Sequence, residues 1–121
     1  MKGKKMFELS KEEIIGSKKD FSRVYSKGRS YVGRDLIVYV LNDEKCNGKI
    51  GFAAGKKLGC AVVRNRVKRL MRETFRLCKK NVKRDCALIL VGRKNLTNAK
   101  LDTVIKSFKE LCRRAKLEIK N

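Results

Sequence analysis

Between Cys60 and Lys80, apolar residues return at the spacing of an α-helix, about one every 3.6 residues. Val63, Val67, Leu70, Thr74, Leu77 and Cys78 fall on one side, and Met71 and Phe75 widen the stripe. Asn65, Lys68, Arg69, Arg72, Arg76 and Lys79 fall on the other, while Arg64 and Arg66 border the two. A long helix with so continuous an apolar side has to bury it against a sheet or other helices, which commits the chain to a packed core. The same helix opens with arginines, where the dipole disfavours cations by roughly 0.3 to 1 kcal/mol each in exposed settings. Something else must make them favourable.

The chain has 121 residues, the size of one domain, and we expect a single core over 1–121 with a mobile basic arm at residues 1–12, MKGKKMFELSKE. Phe21, Val24 and Tyr25 recur at i, i+3, i+4 before Gly28, which predicts a short amphipathic helix from Ser17 to Lys27. Arg34–Leu41, RDLIVYVL, reads as a strand, and the polar NDEKCNG after it carries an Asn-Gly turn signal. A hairpin to a second strand over Lys49–Lys56 is the expectation, with Gly51, Ala53, Ala54 and Gly55 leaving room for a close neighbour. Asp85–Lys94, DCALILVGRK, holds a continuous apolar run, the mark of a central strand covered on both faces and set beside the hairpin. A last helix starts at Thr97 or Asn98 and aligns Leu101, Val104, Ile105, Phe108, Leu111, Cys112 and Ala115. The sum is a compact α+β sandwich of helices against a small sheet.

Lys and Arg number 33 against 12 Asp and Glu, a formal net charge of +21, while 42% of residues are hydrophobic. That is a folded basic protein rather than a disordered tail, and its field suits DNA, RNA or an anionic membrane surface. Membrane binding is the weakest of the three: no apolar run approaches the roughly 18 to 20 residues of a spanning helix, and no signal segment opens the chain, so a cytoplasmic location is expected. Cys46, Cys60, Cys78, Cys86 and Cys112 form no CxxC pair and mostly sit among apolar neighbours, which favours free, largely buried thiols. With no histidine and no zinc-like spacing, a metal site in the protein is not expected. Carboxylates such as Asp20, Asp35, Asp43, Glu44, Asp85 and Asp102 are scattered at element boundaries as caps and turn formers, where a nuclease working alone would need them clustered to hold metal, or Lys and Tyr as proton carriers.

Glu73 is the single acidic residue between Asn65 and Arg84, whereas solvated helices interleave opposite charges at i, i+4. Arginine suits planar contact with phosphate, and Asn65 adds an amide that can donate to phosphate or a 2′-OH, with a held metal or water an equal alternative. A phosphate at the helix start would reconcile Arg64 and Arg66 with the dipole. Phe21, Tyr25, Tyr39 and Phe52 suit a core, yet Lys18, Lys19, Arg23, Lys27 and Arg29 nearby permit a sheet face on which unpaired bases stack, Tyr39 foremost.

KKDFSRVYSKGRS, RDLIVYVL, IGFAAGKKLGCAVVRNRVKRLMRE and DCALILVGRK together resemble the protein component of bacterial ribonuclease P over nearly the whole chain. The RNR signature, Arg64, Asn65 and Arg66, is its most specific part. The resemblance implies a two-layer α/β sandwich with a small mixed sheet and a left-handed βαβ crossover, of the kind shared with a small-subunit ribosomal protein domain and an exception to the usual handedness. It also implies a subunit of an RNA-catalysed endoribonuclease that removes the 5′ leader from precursor tRNA, hydrolysis resting with the catalytic RNA and its Mg2+. Arg64, Asn65, Arg66, Lys68, Arg69 and Arg72 match the positions that contact the catalytic RNA, and Phe21, Tyr25 and Tyr39 match the aromatic positions of the leader cleft. No obligate protein partner is implied. Cys60 departs from the Asn common before AVV, which leaves the helix start less firmly capped, and Tyr25 replaces a common Phe. Two rivals remain: a ribosomal-type structural RNA-binding protein, which gives no reason for a leader-sized aromatic cleft, and a self-sufficient nuclease, which would need its own metal carboxylates.

Overall fold

The strand at the centre of the sheet is β4, Ala87–Gly92, whose apolar run is buried on both faces. The computed structural model describes residues 9–119, in which four strands lie in the order β1-β2-β4-β3. β1 is Arg29–Val32, β2 Leu36–Leu41 and β3 Ile50–Ala53. β1 and β2 form a tight antiparallel hairpin, β2 runs antiparallel to β4, and β3 runs parallel to β4. Alternation along the strands then assigns the faces. Leu36, Val38, Ile50, Leu88 and Leu90 point into one core, and Ala87 and Ile89 point into another with Ile15, Val24 and Cys46.

Three α-helices cover those faces. α1, Lys18–Lys27, lies over β2 and β4 on the second face, its N-terminus capped by Ser17, whose Oγ accepts the Asp20 N–H at 3.0 Å. α2, Ala61–Cys78, and α3, Leu101–Arg114, pack together on the first face, where the Phe75 and Phe108 rings meet edge to face at 6.1 Å between centroids. α2 forms the connection between the parallel strands β3 and β4, the crossover unit that the family resemblance implies.

The expected hairpin between the second and third strands does not form. β4 intervenes, and Leu41 and Ile50 flank Ala87 and Leu88 instead of each other. The Asn47-Gly48 turn does exist, with Gly48 at φ 83°, but its N–H donates to the Cys86 carbonyl at 3.0 Å and so leads the chain past β4's start. A run covered on both faces takes the central position, and its neighbours are set by that burial rather than by loop length. The sequence reading also missed β1, because RSYV is a short edge strand with polar residues and only Tyr31 partly buried. Its start requires Gly28, where a Cβ would lie 2.5 Å from the Val24 carbonyl oxygen and 2.9 Å from that of Val40.

Two helix details also differ from expectation. α3 starts at Leu101 after Lys100, because residues Lys94–Asn98 close a 3-10 turn in which the Thr97 hydroxyl donates back to the Lys94 carbonyl at 2.8 Å. On α2 the buried stripe runs through Val67, Met71, Thr74, Phe75 and Cys78, while Leu77 is exposed and Leu70 half-buried. The helix has turned its Met71–Phe75 line into the angle between sheet and α3. Gly92 admits it: a Cβ there would stand 2.5 Å from Val67 Cγ1 and 3.2 Å from Leu96 Cδ2.

Of the expected basic arm, residues 1–8 lie outside the described part. Leu9 packs against the core, and Lys11–Glu13 form a 3-10 turn closed by a capping box between Ser10 and Glu13. Glu13 then bridges to the far end of α2: its carboxylate accepts from Lys79 Nζ at 3.0 Å and pairs with Arg84 at 3.0 Å, and the Arg84 guanidinium lies 5.3 Å from the Phe75 ring centroid. Burial pushes the Glu13 carboxyl upward, but the Ser10 N–H, Lys79 and Arg84 outweigh it and hold it down to about 2.

Two expectations follow. Because the folded value is lowered from 4.5 to about 2, Glu13's contribution is complete above about pH 4.5 and is lost as pH falls toward 2. Urea unfolding of Glu13→Gln should show about 1 to 3 kcal/mol less stability than wild type near neutral pH and no deficit near pH 2; a deficit constant with pH would contradict the ion-pair account. Gly92→Ala should lose about 1 to 3 kcal/mol in the same measurement, since Val67 must move.

Candidate nucleic-acid interface

α2 carries its cations in two distinct ways. Toward its C-terminal end they are spent on the fold: Arg76 pairs with Glu73, and Lys79 with Glu13. In the first three turns they are not. Arg66, Lys68 and Arg69 are exposed and make no ion pair among the described residues, and Arg72 is exposed with its guanidinium 5.6 Å from the Phe52 ring centroid. Asn65 is exposed beside them. Arg64 is half-buried, and its Nε is buried with no hydrogen-bond partner. The expectation of a basic face along the whole helix therefore narrows to Arg64–Arg72, with Arg76 and Lys79 taken up by carboxylates.

The aromatic residues assemble on the other face of the sheet. Phe21 lies directly over Gly51, where a Cβ would come within 2.8 Å of its ring, so the glycine lets α1 settle against β3. Phe21 and Tyr25 line an open groove of about 430 Å³ with Lys18, Ser22, Ala53, Gly55 and Val91. Tyr39, from β2, stands against Tyr25 with ring centroids 4.6 Å apart and planes tilted by 31°. The Tyr25 hydroxyl bonded to it, together with partial burial, raises the Tyr39 phenol above its ordinary range, so that ring stays neutral at physiological pH. Tyr25 is 48% exposed, which leaves an aromatic surface open to a planar ligand. Phe52 does not join them: alternation along β3 turns it to the opposite face, toward α2. Arg23, counted among the cations near the aromatics, is held by Asp20 at 3.1 Å and Asp43 at 3.8 Å.

A short stretch of chain links the two surfaces at one end of the sheet. The groove ends at Ala53 and Gly55, and the chain continues through a 3-10 turn, Lys56–Leu58, into α2. Lys56 and Lys57 are both exposed there, two cations that the sequence reading left out of its site. Their signal was the glycine pair bracketing KKL, since Gly55 and Gly59 hold the turn and Gly59 takes φ 138°. Lys18 at the groove was noticed as a neighbour only.

Cys60 occupies the N-cap position of α2 without a capping hydrogen bond from its side chain, yet the helix begins at Ala61. The N–H groups of Val63 and Val62, followed by Cys60's own N–H and the Arg64 charge, lower its thiol below the ordinary range. The four other cysteines are buried, and burial pushes Cys86 up to about 11 and Cys112 up to about 12. Brief iodoacetamide treatment of the native protein near pH 7.5 should therefore label Cys60 alone, as read by peptide mass spectrometry. Comparable labelling of Cys46 or Cys86 would contradict the burial described above.

Comparison with known proteins agrees with this fold. The family model described as Ribonuclease P matches residues 9–116. The "Ribonuclease P protein component" of Exiguobacterium sp. is 38% identical, covering 90% of this chain and 95% of its own, and that of Alkaliphilus metalliredigens is 38% identical, covering 81% and 88%. Among solved structures, the Staphylococcus aureus RNase P protein superposes with a TM-score of 0.76 at 30% identity over 88% of this chain and 97% of its own. That of Thermotoga maritima superposes with a TM-score of 0.72 at 25% identity over 84% and 96%. From its unpaired arginine face, its aromatic groove and these matches, the chain belongs to the ribonuclease P protein family.

Proposed function

We propose that this chain is the protein subunit of a ribonucleoprotein that removes the 5′ leader from precursor tRNA, binding the catalytic RNA through α2 and the single-stranded leader in the groove. The observation that carries the reading is the junction of two unlike surfaces. An uncompensated row, Arg64, Asn65, Arg66, Lys68, Arg69 and Arg72, opens at a helix N-terminus, and a short turn before that helix lie Ala53 and Gly55 of the groove lined by Phe21 and Tyr25, with Tyr39 stacked against Tyr25. The first suits a folded RNA backbone and the second suits unstacked bases, each worth about 1 to 3 kcal/mol on an aromatic ring whatever its identity. A leader of variable sequence needs that tolerance.

Hydrolysis in this reading belongs to the RNA and its Mg2+. Among the described residues no group of three or more His, Cys, Asp or Glu side chains comes together that could hold a metal ion. Its part is to lower phosphate repulsion, so that the RNA holds its metal at lower concentration. The place of action is the cytoplasm, where tRNA is made; no helix among the described residues is long and apolar enough to cross a membrane.

The test is reconstitution with the catalytic RNA at limiting Mg2+, with RNA affinity measured in parallel. Wild-type protein should lower the Mg2+ needed for cleavage, and its RNA affinity should fall roughly 10³ to 10⁵ fold between about 50 and 200 mM salt, as for about six to ten phosphate contacts. Arg66→Ala should weaken binding on every substrate, while Tyr39→Ala should matter only when a leader is present. An unchanged Mg2+ requirement and leader affinity on adding the protein would overturn the proposal. Cleavage by the protein free of RNA would favour a self-sufficient nuclease, and recovery of ribosomal RNA alone with the protein from cells would favour a ribosomal role.

A further inference from the structure

Away from α2 and the groove, a second group of cations gathers where the β1–β2 turn, the end of β4 and the outer side of α3 meet. Two guanidinium groups are held there by neutral acceptors. Arg93 Nη1 donates to the Gly33 carbonyl at 2.8 Å, and Arg114 Nη1 donates to the Val32 carbonyl at 3.0 Å. A carbonyl orients a guanidinium without cancelling its charge, and the remaining N–H groups stay available in a planar fork. Exposed Arg34 and Lys106 line the same open hollow, of about 530 Å³. A smaller hollow beside it shares Arg34 and Arg93 and adds Lys94 and Asn95.

Two carboxylates lie by this region, and neither is ion-paired with its four cations. Glu110 is paired with Arg113 on its own helix. Asp35 is 5% exposed and accepts the Ser107 hydroxyl at 2.7 Å. Arg34, Arg93, Lys106 and Arg114 therefore have no ion-pair partner among the described residues. Four such cations around one hollow repel each other in the free protein, and a ligand with repeated negative charge relieves that repulsion. Lys94 and Asn95 of the smaller hollow belong to a turn that reaches α2. The 3-10 turn Lys94–Asn98 packs against α2, and just beyond it Arg66 and Arg69 line a groove with Ala99 and Leu101 at the start of α3.

We propose that this hollow is a second RNA-backbone site, in which Arg34, Arg93, Lys106 and Arg114 hold the sugar-phosphate chain of a folded RNA while α2 and the aromatic groove are occupied. The proposal rests on the function read above. Two RNAs offer that chemistry, the catalytic RNA and the body of the precursor tRNA, and separate binding measurements distinguish them.

Arg93 and Arg114 also tie the β1–β2 turn to the fold, so the informative variant is Arg34→Gln/Lys106→Gln, whose side chains bond nothing among the described residues. A charge-matched control, Lys11→Gln/Lys45→Gln, removes two exposed cations elsewhere. Affinity for each RNA is measured across a potassium chloride series. For the RNA that uses the hollow, the Arg34/Lys106 variant should bind roughly tenfold more weakly at about 150 mM salt, with a log–log salt slope shallower by about 2, and the control should stay near wild type. Slopes unchanged for both RNAs, or an equal loss in the control, would overturn the second site and leave the α2 reading intact. Wild-type protein that bound neither RNA would overturn that reading and this site with it.

Discussion

The burial of β4 on both faces is the constraint from which the rest of the structure follows. Leu88 and Leu90 meet α2 and α3, while Ala87 and Ile89 meet the α1 side. β2 pairs with it along its whole length and β3 pairs with residues 88–91, so this apolar run is flanked by strands on both edges. With β2 antiparallel on one side, the chain approaches the other side from β3 and must return parallel, which requires a crossover. That crossover is α2. Its N-terminus consequently lies just beyond the end of β3, beside the groove that α1 makes with the sheet.

Charge is divided by the same geometry. Some carboxylates join segments, as Glu13 does to Lys79 and Arg84 and Asp43 to Arg23, and others pair within one helix, as Asp20 does with Arg23 and Glu73 with Arg76. These contacts fasten the N-terminal segment, α1 and the far end of α2. The cations without an ion-pair partner among the described residues include those at the other end of α2 and around the β1–β2 turn, where the proposed RNA contacts lie. Exposed surface pairs contribute little to stability in any case, so the fold can leave these positions unpaired at small cost.

Much of this was legible from residue order. The long helix, the short α1 ending before Gly28 and the central β4 came from periodicity and composition, and the RNR segment pointed to the family later shown by the comparisons. The errors arose where local pattern gave way to tertiary placement. Pairing Leu36–Leu41 with Ile50–Ala53 across an Asn-Gly turn used local turn chemistry, but β4 competes for both edges and wins because it alone is covered on both sides. β1 escaped notice because an edge strand with one partner needs no apolar pattern. Phe52 was grouped with Phe21, Tyr25 and Tyr39 by its aromatic character, and the two-residue alternation of β3 put it on the opposite face.

The sequence by itself determined which segments are apolar enough to be buried, which helix carries the arginines, and that the net charge calls for a polyanion, because those properties depend on residue type and local spacing. Only the tertiary structure decided which charges remain free. Lys79 and Glu13 are 66 residues apart in the chain, and nothing local signals that they meet. Arg76 and Arg72 look equivalent along the helix, yet one has a carboxylate partner and the other lies over Phe52 beside the exposed row. Electrostatic pairing depends on distance in space, which the packing of β4 between its neighbours sets.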